Sequence, residues 1–293
     1  MKKKVIGFGE ILWDMLPDGR KLGGAPANFA YHSNCLGCEG WVISSVGKDD
    51  LGKEIKDVIS RKKFNSCLGE SDRPTGTVNI RLDTDGIPSY EIVENVAWDD
   101  IVLTDEMKRL ASGAAALCFG SLVQRNETSR KSLYEFIGLM PDNALKIYDI
   151  NLRQNFYDAD VIACSLEFAD ILKINDEELE IVSRIFSLDG SQEQICRNLI
   201  RRYSLKLVIL TKGKDGSDVV TEDSVYSVSP LPVKICDTVG AGDSFTATFV
   251  ACYLSGNTVS ECHRKANAVS SYVCSCKGAM PEYSKELVDS INL

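Results

Sequence analysis

Residues 237–247 read DTVGAGDSFTA. The small residues Gly240, Ala241 and Gly242 follow an extended segment and open a long apolar stretch, which predicts a helix over Ala241–Leu254. The first N–H groups of a helix have no partner within it, and the helix dipole is positive at that end. Glycines present bare N–H groups, so this stretch predicts an anion hole suited to a phosphoryl group in transfer.

Asp243 lies in the first turn of this predicted helix, beside the anion hole. An acidic residue at that position can cap the helix, or it can accept a proton from an attacking hydroxyl group. The chain has only two histidines, His32 and His263, so few residues could serve in a histidine-based mechanism. The sequence therefore favours Asp243 as a general base.

Short apolar runs alternate with amphipathic segments over most of the chain. The runs predict buried strands at residues 5–9, 40–46, 114–119, 145–150, 171–174 and 207–211. Helices are predicted between them, and also at residues 26–36, 51–63 and 259–276. Repeated strand–helix units predict an α/β fold with a mostly parallel sheet and helices on both of its faces.

Two segments break this rhythm. Residues 12–16 and 75–93 contain half-exposed strands, and Asp85-Gly86 is a hairpin signal within the second segment. Such strands do not fit between two layers of helices, so they predict a small separate sheet. We expect a single domain over residues 1–293, with a lid formed by the segments around 12–22 and 75–100.

Composition and charge exclude several classes of protein. The net charge is −9 and the basic residues are scattered, whereas nucleic acid needs a concentrated basic face. No segment approaches the length that spans a bilayer, and Glu10 and Asp14 interrupt the N-terminal apolar run. We expect a cytoplasmic protein that binds neither nucleic acid nor membrane.

Two nucleotide-binding patterns almost match. Gly7-Phe8-Gly9 follows a strand, but Leu12 stands where the dinucleotide fingerprint has its third glycine, which disfavours a dinucleotide-dependent oxidoreductase. Residues 47–54 read GKDDLGKE, with the spacing of a phosphate loop but Glu54 at the magnesium-binding position. Its acidic residues would repel phosphates, so we predict a turn in which an aspartate caps the next helix.

The full string over residues 237–243 resembles the signature of the ribokinase-like, or PfkB-type, carbohydrate kinases, and the resemblance extends over nearly the whole chain. It implies a ribokinase-like fold and an ATP-dependent sugar kinase. It implies that Asp243 is the catalytic base and that Gly240, Ala241, Gly242 and Asp243 form the anion hole. A homodimer that pairs through the lids is a further implication.

The resemblance also implies a sugar site near the N-terminus. GGAPAN at residues 23–28 is similar to the family's N-terminal signature, in which the glycine pair approaches the sugar and Asn28 binds its hydroxyl groups. Asp14 matches an early sugar-binding aspartate. DINLR at residues 149–153 is similar to a fructokinase segment in which the arginine reaches the substrate or the transferring phosphate. The implied substrate-binding residues are Asp14, Gly23, Gly24, Asn28, Asn151 and Asp243, with Arg153 also catalytic.

A nucleotide and metal site is implied by the second half of the chain. NDEE at residues 175–178 matches an Asn-x-x-Glu element that organises magnesium and its waters, and magnesium prefers such oxygen ligands. Asp237 and Val239 resemble a loop that binds a monovalent cation such as K⁺. The implied ATP-binding residues are Asn175, Thr211, Gly213, Gly240, Gly242, Asn267 and Gly278, and the implied magnesium residues are Glu178 and Asn175.

Fructose fits the narrower resemblance best. The segments at residues 9–17, 23–30, 73–76 and 97–99 are similar to those of bacterial fructokinases. Ala25 and Gly120 stand where ribokinase has a lysine and an acidic residue, which disfavours ribose. One alternative is a 2-keto-3-deoxygluconate kinase, because Arg153 could pair with the carboxylate of that sugar acid. The others are a nucleoside kinase with aromatic residues around the base and a non-catalytic sugar-binding regulator. The aromatic candidates are Phe29, Tyr31, Tyr90 and Trp98.

Overall fold

The computed structural model describes residues 2–17, 19–82 and 88–291. Its strands are β1 Lys4–Phe8, β2 Leu12–Leu16, β3 Gly19–Gly23, β4 Glu39–Gly47, β5 Asn65–Ser71, β6 Gly76–Leu82, β7 Pro88–Ile92, β8 Ala116–Phe119, β9 Leu145–Asp149, β10 Ile171–Asn175, β11 Leu207–Thr211, β12 Ser217–Val220 and β13 Val225–Val228. Its helices are α1 Ala25–Cys35, α2 Asp50–Lys62, α3 Asp105–Ser112, α4 Glu127–Gly138, α5 Ala159–Phe168, α6 Asp176–Phe186, α7 Gln192–Tyr203, α8 Ala241–Leu254, α9 Val259–Cys274 and α10 Lys285–Ile291.

The large sheet has the strand order β13-β12-β11-β10-β9-β8-β1-β4-β5. Every neighbouring pair from β11 to β5 is parallel, and β12 and β13 extend the β11 edge in antiparallel pairing. The mostly parallel sheet predicted from the strand–helix rhythm is confirmed. Because parallel strands end at the same edge, the carboxyl ends of β1, β9, β10 and β11 lie along one side of the molecule.

Helices cover both faces of this sheet, as predicted. Successive strand residues point to opposite faces. Ile6 and Phe8 pack in an apolar cluster with residues of α3 to α7, whereas Val5, one residue before Ile6, packs with residues of α1, α8 and α9. Both clusters consist largely of fully buried side chains, so the sheet is the centre of a three-layer core.

A separate small sheet has the order β3-β2-β6-β7. The pair β2–β3 is antiparallel, β2–β6 is parallel and β6–β7 is antiparallel. The predicted separate sheet is therefore confirmed, while its predicted turn at Asp85-Gly86 lies outside the described residues. Residues 97–100, at the end of the predicted lid segment, form a 3-10 helix whose Ala97 and Trp98 are fully buried.

The segment that resembles a phosphate loop is a capped turn, as predicted. Asp49 precedes α2, and its Oδ1 accepts a hydrogen bond of 2.8 Å from the N–H of Gly52. The same carboxylate also accepts bonds from the N–H and hydroxyl groups of Thr75, at 2.8 and 2.6 Å. With both oxygens occupied, Asp49 serves to join the start of α2 to the start of β6.

Candidate active site

A small cavity lies at the carboxyl end of the large sheet, next to the start of α8. Among the predicted site residues, Asn151 and Asp243 line it directly. The strand ends supply Asp149 and, just beyond β1, Glu10. The remaining lining comes from α1 and the end of β8: Ala25, Pro26, Phe29, Cys118, Phe119, Gly120 and Leu122. Ligands in open α/β sheets bind at this edge of the strands.

The first turn of α8 has the geometry that the sequence predicts. Gly240 has a φ of 78° and immediately precedes the helix. A Cβ atom at this position would lie 2.7–2.8 Å from atoms of Ala279, so the close packing of these two loops also requires glycine. The first helical hydrogen bond runs from the N–H of Ser244 to the carbonyl of Gly240. The N–H groups of Gly242 and Asp243 precede it, where an anion can accept from them.

Asp243 faces the cavity and is joined to helix α1. Its Oδ2 accepts a hydrogen bond of 2.7 Å from Nδ2 of Asn28. Burial and the nearby Asp149 charge raise the pKa of Asp243 to about 6, against the opposing effects of Asn28, Lys173 and Arg153. Oδ1 of Asn28 is buried and has no hydrogen-bond partner among the described residues, which leaves an acceptor available for a ligand.

A buried ion pair that the sequence analysis missed lies directly under the anion hole. Nζ of Lys173 is 2.9 Å from Oδ1 of Asp149, whose Oδ2 accepts a bond of 3.1 Å from the hydroxyl of Thr246 on α8. A side chain at Gly242 would come within 3.1 Å of the Lys173 ammonium group. Burial opposes its charge, but the carboxylates of Asp149 and Glu178 raise the pKa of Lys173 above its usual value.

Glu10 is a second missed residue. It is buried, and its Oε1 accepts a bond of 3.3 Å from the N–H of Ala25 at the start of α1. Burial, with a further contribution from the charge of Asp243, raises the pKa of Glu10 to about 7. Lys173 and Glu10 shared one signal in the sequence: each is a charged residue inside an apolar run.

The predicted sugar-binding residues form a continuous path from the small sheet to α1. Asp14 and Lys21 are opposite each other on β2 and β3. Burial raises the pKa of Asp14 to about 6, although the charge of Lys21 opposes this. A Cβ atom at Gly23 would lie 2.5 Å from Oδ2 of Asp14, so this glycine makes room for the carboxylate. Gly24 follows directly and begins α1, and its carbonyl accepts from the N–H of Asn28.

Asn175 and Glu178 form a capping box at the start of α6. Oδ1 of Asn175 accepts a bond of 2.8 Å from the N–H of Glu178, and Oε2 of Glu178 accepts one of 2.9 Å from the N–H of Asn175. Oε1 of Glu178 accepts a bond of 2.9 Å from the N–H of Leu152. Glu178 is 5% exposed, and its bond to Leu152 fixes the segment that carries Asn151 and Arg153.

Asn151 and Arg153 lie on the loop that follows β9. Asn151 has a φ of 43°, a left-handed conformation that asparagine tolerates better than most residues. Arg153 is exposed, and its Nη1 donates to the carbonyl of Leu152. Arg153 follows the cavity-lining Asn151 by two residues, and its positive charge opposes the raised pKa of both Asp243 and Glu10.

The predicted nucleotide-side residues lie on neighbouring loops. Thr211 ends β11 beside Asn175 of β10, and Gly213 follows it with a φ of 51°. The side chain of Asn267 on α9 donates to the carbonyl of Ser229. The carboxylate of Asp237 accepts from the N–H groups of Val239 and Gly278, at 3.1 and 3.0 Å, and so joins the loop before α8 to the loop after α9.

The described residues hold no group of three or more His, Cys, Asp or Glu side chains placed to bind a metal ion. No helix among them has the length and apolar character needed to cross a membrane.

Comparisons with known proteins find relatives of this chain over most of its length. The profile described as pfkB family carbohydrate kinase matches residues 18–286. A fructokinase of Klebsiella pneumoniae is 28% identical over 265 residues, which cover 86% of this chain and 84% of that protein. The fold is shared with a Vibrio cholerae fructokinase solved with fructose, ADP and calcium, at a TM-score of 0.82, 22% identity and 99% coverage of both chains. It is also shared with a 2-dehydro-3-deoxygluconokinase of Thermotoga maritima, at a TM-score of 0.84, 19% identity and 98% coverage of both chains.

Proposed function

Because this chain belongs to the pfkB family of carbohydrate kinases, we propose that it transfers the γ-phosphoryl group of ATP to a hydroxyl group of free fructose. The observation that carries the proposal is the hydrogen bond of 2.7 Å between Asn28 and Asp243. It joins the helix expected to bind the sugar to the helix expected to bind the phosphoryl group.

In this proposal Asp243 accepts the proton of the attacking sugar hydroxyl. The N–H groups of Gly242 and Asp243, at the positive end of the α8 dipole, stabilise the charge that develops on the phosphoryl oxygens, whereas the N–H group of Ala241 already donates to the carbonyl of Thr238. Arg153 adds a positive charge from the loop that follows β9. Such positioning and charge stabilisation account for most of the catalysis in phosphoryl transfer.

The sugar would be held by Asp14, Gly23, Gly24, Asn28 and Asn151. Asp14 accepts hydrogen bonds from hydroxyl groups, and the unpartnered Oδ1 of Asn28 supplies another acceptor. The small sheet carries Asp14, so its closure over the sugar would exclude water and limit hydrolysis of ATP. The lid sheets would also be the surface through which two copies pair.

The nucleotide would lie across Thr211, Gly213, Asn267 and Gly278. Bound magnesium neutralises the polyphosphate charge. The residues fit such an ion in its hydrated form: Asn175 and Glu178 present oxygen atoms, and each already accepts backbone bonds, so they are suited to hold water ligands rather than to bind the metal directly. We propose that Asp237 and Val239 contribute to a monovalent cation site, for K⁺.

A sugar acid is the second candidate substrate. Arg153 is an exposed cation on the loop next to the cavity, and a guanidinium group binds carboxylates well. A nucleoside is disfavoured, because Tyr31 and Trp98 are 4% and 0% exposed and so cannot stack on a base; the side chain of Tyr90 lies outside the described residues. Phe29 lines the cavity but is itself buried.

A sugar panel assayed by ADP production tests the substrate. We expect the highest kcat/KM for fructose among fructose, 2-keto-3-deoxygluconate, ribose and nucleosides. A higher value for 2-keto-3-deoxygluconate would replace fructose with the sugar acid. If no ADP is produced with any of these compounds, the result would contradict the sugar kinase proposal and favour a sugar-binding regulator.

A magnesium titration tests Glu178. The Glu178→Gln variant should need more magnesium for half-maximal turnover and should turn over more slowly, while its KM for the sugar stays within about twofold. The amide group cannot accept both backbone bonds, so we also expect a loss of about 1–3 kcal/mol in the free energy of unfolding. Glu177→Gln, at an exposed position on the same helix, is the control and should match the original protein. An unchanged magnesium requirement in a folded Glu178→Gln variant would rule out this role.

A further inference from the structure

A buried ion pair lies outside the cavity, at the base of the small sheet. Nε and Nη2 of Arg125 donate to the two carboxylate oxygens of Asp99, at 2.7 and 2.8 Å. Their side chains are only 6% and 2% exposed. Nη2 of Arg125 also donates to the carbonyl of Val93, which follows β7, at 2.7 Å. A bidentate pair of this kind fixes the plane of the guanidinium group.

The same guanidinium group also contacts two aromatic rings. The guanidinium carbon of Arg125 is 3.9 Å from the centre of the Trp98 ring and 4.7 Å from the centre of the Phe156 ring. Nη1 of Arg125 has no hydrogen-bond partner among the described residues, so this end of the guanidinium group interacts through its contacts with the aromatic rings. Arg125 thereby connects two segments that are far apart in sequence.

Trp98 belongs to the foot of the small sheet. It shares an apolar cluster with Leu12, Val78 and Ile92, which come from β2, β6 and β7. A Cβ atom at Gly76, where β6 begins, would lie 2.4 Å from Nε1 of Trp98, so the strand starts in direct contact with the indole ring. The ring is fully buried, and the strands of the small sheet are anchored on it.

Phe156 belongs to the loop that carries Arg153. Its N–H donates to the carbonyl of Arg153 at 3.1 Å, which closes a tight turn. Arg153 and the two residues after it are exposed, whereas Phe156 is half-buried and packs against the Trp98 cluster. The contact between Phe156 and Arg125 is thus an anchor for this turn on the body of the protein.

We propose that Arg125 is a positioning residue for Arg153, because it ties the turn over residues 153–156 to the foot of the small sheet. Displacement of the sheet would shift Trp98 and Asp99, and the guanidinium group would pass that shift to Phe156. Substrate-driven movement of the sheet and placement of the Arg153 charge are then one event. The inference rests on the proposed role of Arg153 at the phosphoryl group.

Hydrogen exchange in the ligand-free protein tests the link without any substrate. Phe156→Leu removes the stacked ring but leaves the Arg125–Asp99 pair intact. Exchange should become faster in two places, at residues 151–157 and at residues 93–97, while α8 and α9 stay unchanged. The control is Tyr157→Leu, a half-buried neighbour that packs against the main core instead. It should not affect residues 93–97. Equal exchange at residues 93–97 in the original protein and Phe156→Leu would overturn the proposal.

Kinetics on the best sugar test the consequence for Arg153. Phe156→Leu should lower kcat/KM for the sugar by about tenfold, the scale of a modest misplacement, with an unchanged KM for ATP. In an Arg153→Met background the same substitution should have little further effect, because it acts through Arg153. Additive losses would mean that Phe156 acts independently and would contradict the proposal. If no sugar is phosphorylated, the proposed function fails, and the exchange experiment alone decides whether the link exists.

Discussion

Replacing Asp243 with asparagine should lower turnover on the best sugar by about 10² or more, the usual scale for a general base. Asparagine has nearly the same shape but cannot accept the hydroxyl proton. Because the pKa of Asp243 is raised from 3.8 to about 6, the folded protein holds its proton more tightly than the unfolded chain does. The ionised carboxylate therefore lowers stability as the pH rises through this range, and the variant should unfold at the same temperature or higher at pH 8.

A steady-state assay with a thermal melt separates the base from a helix cap. Asp158→Asn is the control, since Asp158 caps α5 through a bond of 2.7 Å to the N–H of Val161, and asparagine caps a helix equally well. It should retain full turnover. In the original protein, turnover should fall as the pH drops below about 6, where Asp243 becomes protonated. Near-normal turnover in Asp243→Asn would mean that this residue is not the base.

A methyl group at Gly240 should be nearly as damaging to turnover, by a different route. In Gly240→Ala the added Cβ would meet Ala279 at 2.7–2.8 Å, and the φ of 78° is strained for alanine. The loop must shift, and the N–H groups at the start of α8 move with it. We expect turnover to fall by about 10², the cost of losing an oxyanion-hole donor, and stability to fall by about 1–3 kcal/mol.

Gly256 provides a matched control just past the other end of α8. It has a φ of 83°, but a Cβ atom there would meet nothing within 4 Å. Gly256→Ala should therefore share the backbone strain without the clash, lose about 1 kcal/mol of stability and keep its turnover. Urea unfolding and steady-state kinetics on both variants make the comparison. Equal turnover in the two variants would show that the loop before α8 has no part in catalysis.

The elements that the sequence predicted are those whose patterns arise locally. Buried parallel strands such as β1 and β11 are continuous apolar runs, and the anion-hole helix has its own glycine signature. The edge strand β5 was missed because only Cys67 and Ser71 of its NSCLGES sequence are buried, which leaves no apolar pattern. The hairpin of β12 and β13 was missed because each strand has only four residues, and those of β13 are exposed or half-buried.

The candidate site was predictable where one motif contains it and not where distant segments meet. The sequence placed Asp243 at the first turn of α8, and the structure agrees. It gave no sign that Lys173 would pair with Asp149 beneath that turn, because the pairing depends on strand order in the folded sheet. The capping box of Asn175 and Glu178 also shows that a motif expected to serve a metal has a structural function of its own.

The bond between Asn28 and Asp243 joins residues that are 215 positions apart in the chain. A ribosome adds about 5–20 residues per second, so roughly 10–40 s separate the synthesis of these two side chains. During that interval α1, which contributes Asn28, has been synthesised but its partner helix α8 has not. A nascent chain released before α8 emerges would lack both the proposed base and the phosphate-binding turn, so incomplete translation products could not consume ATP at this site.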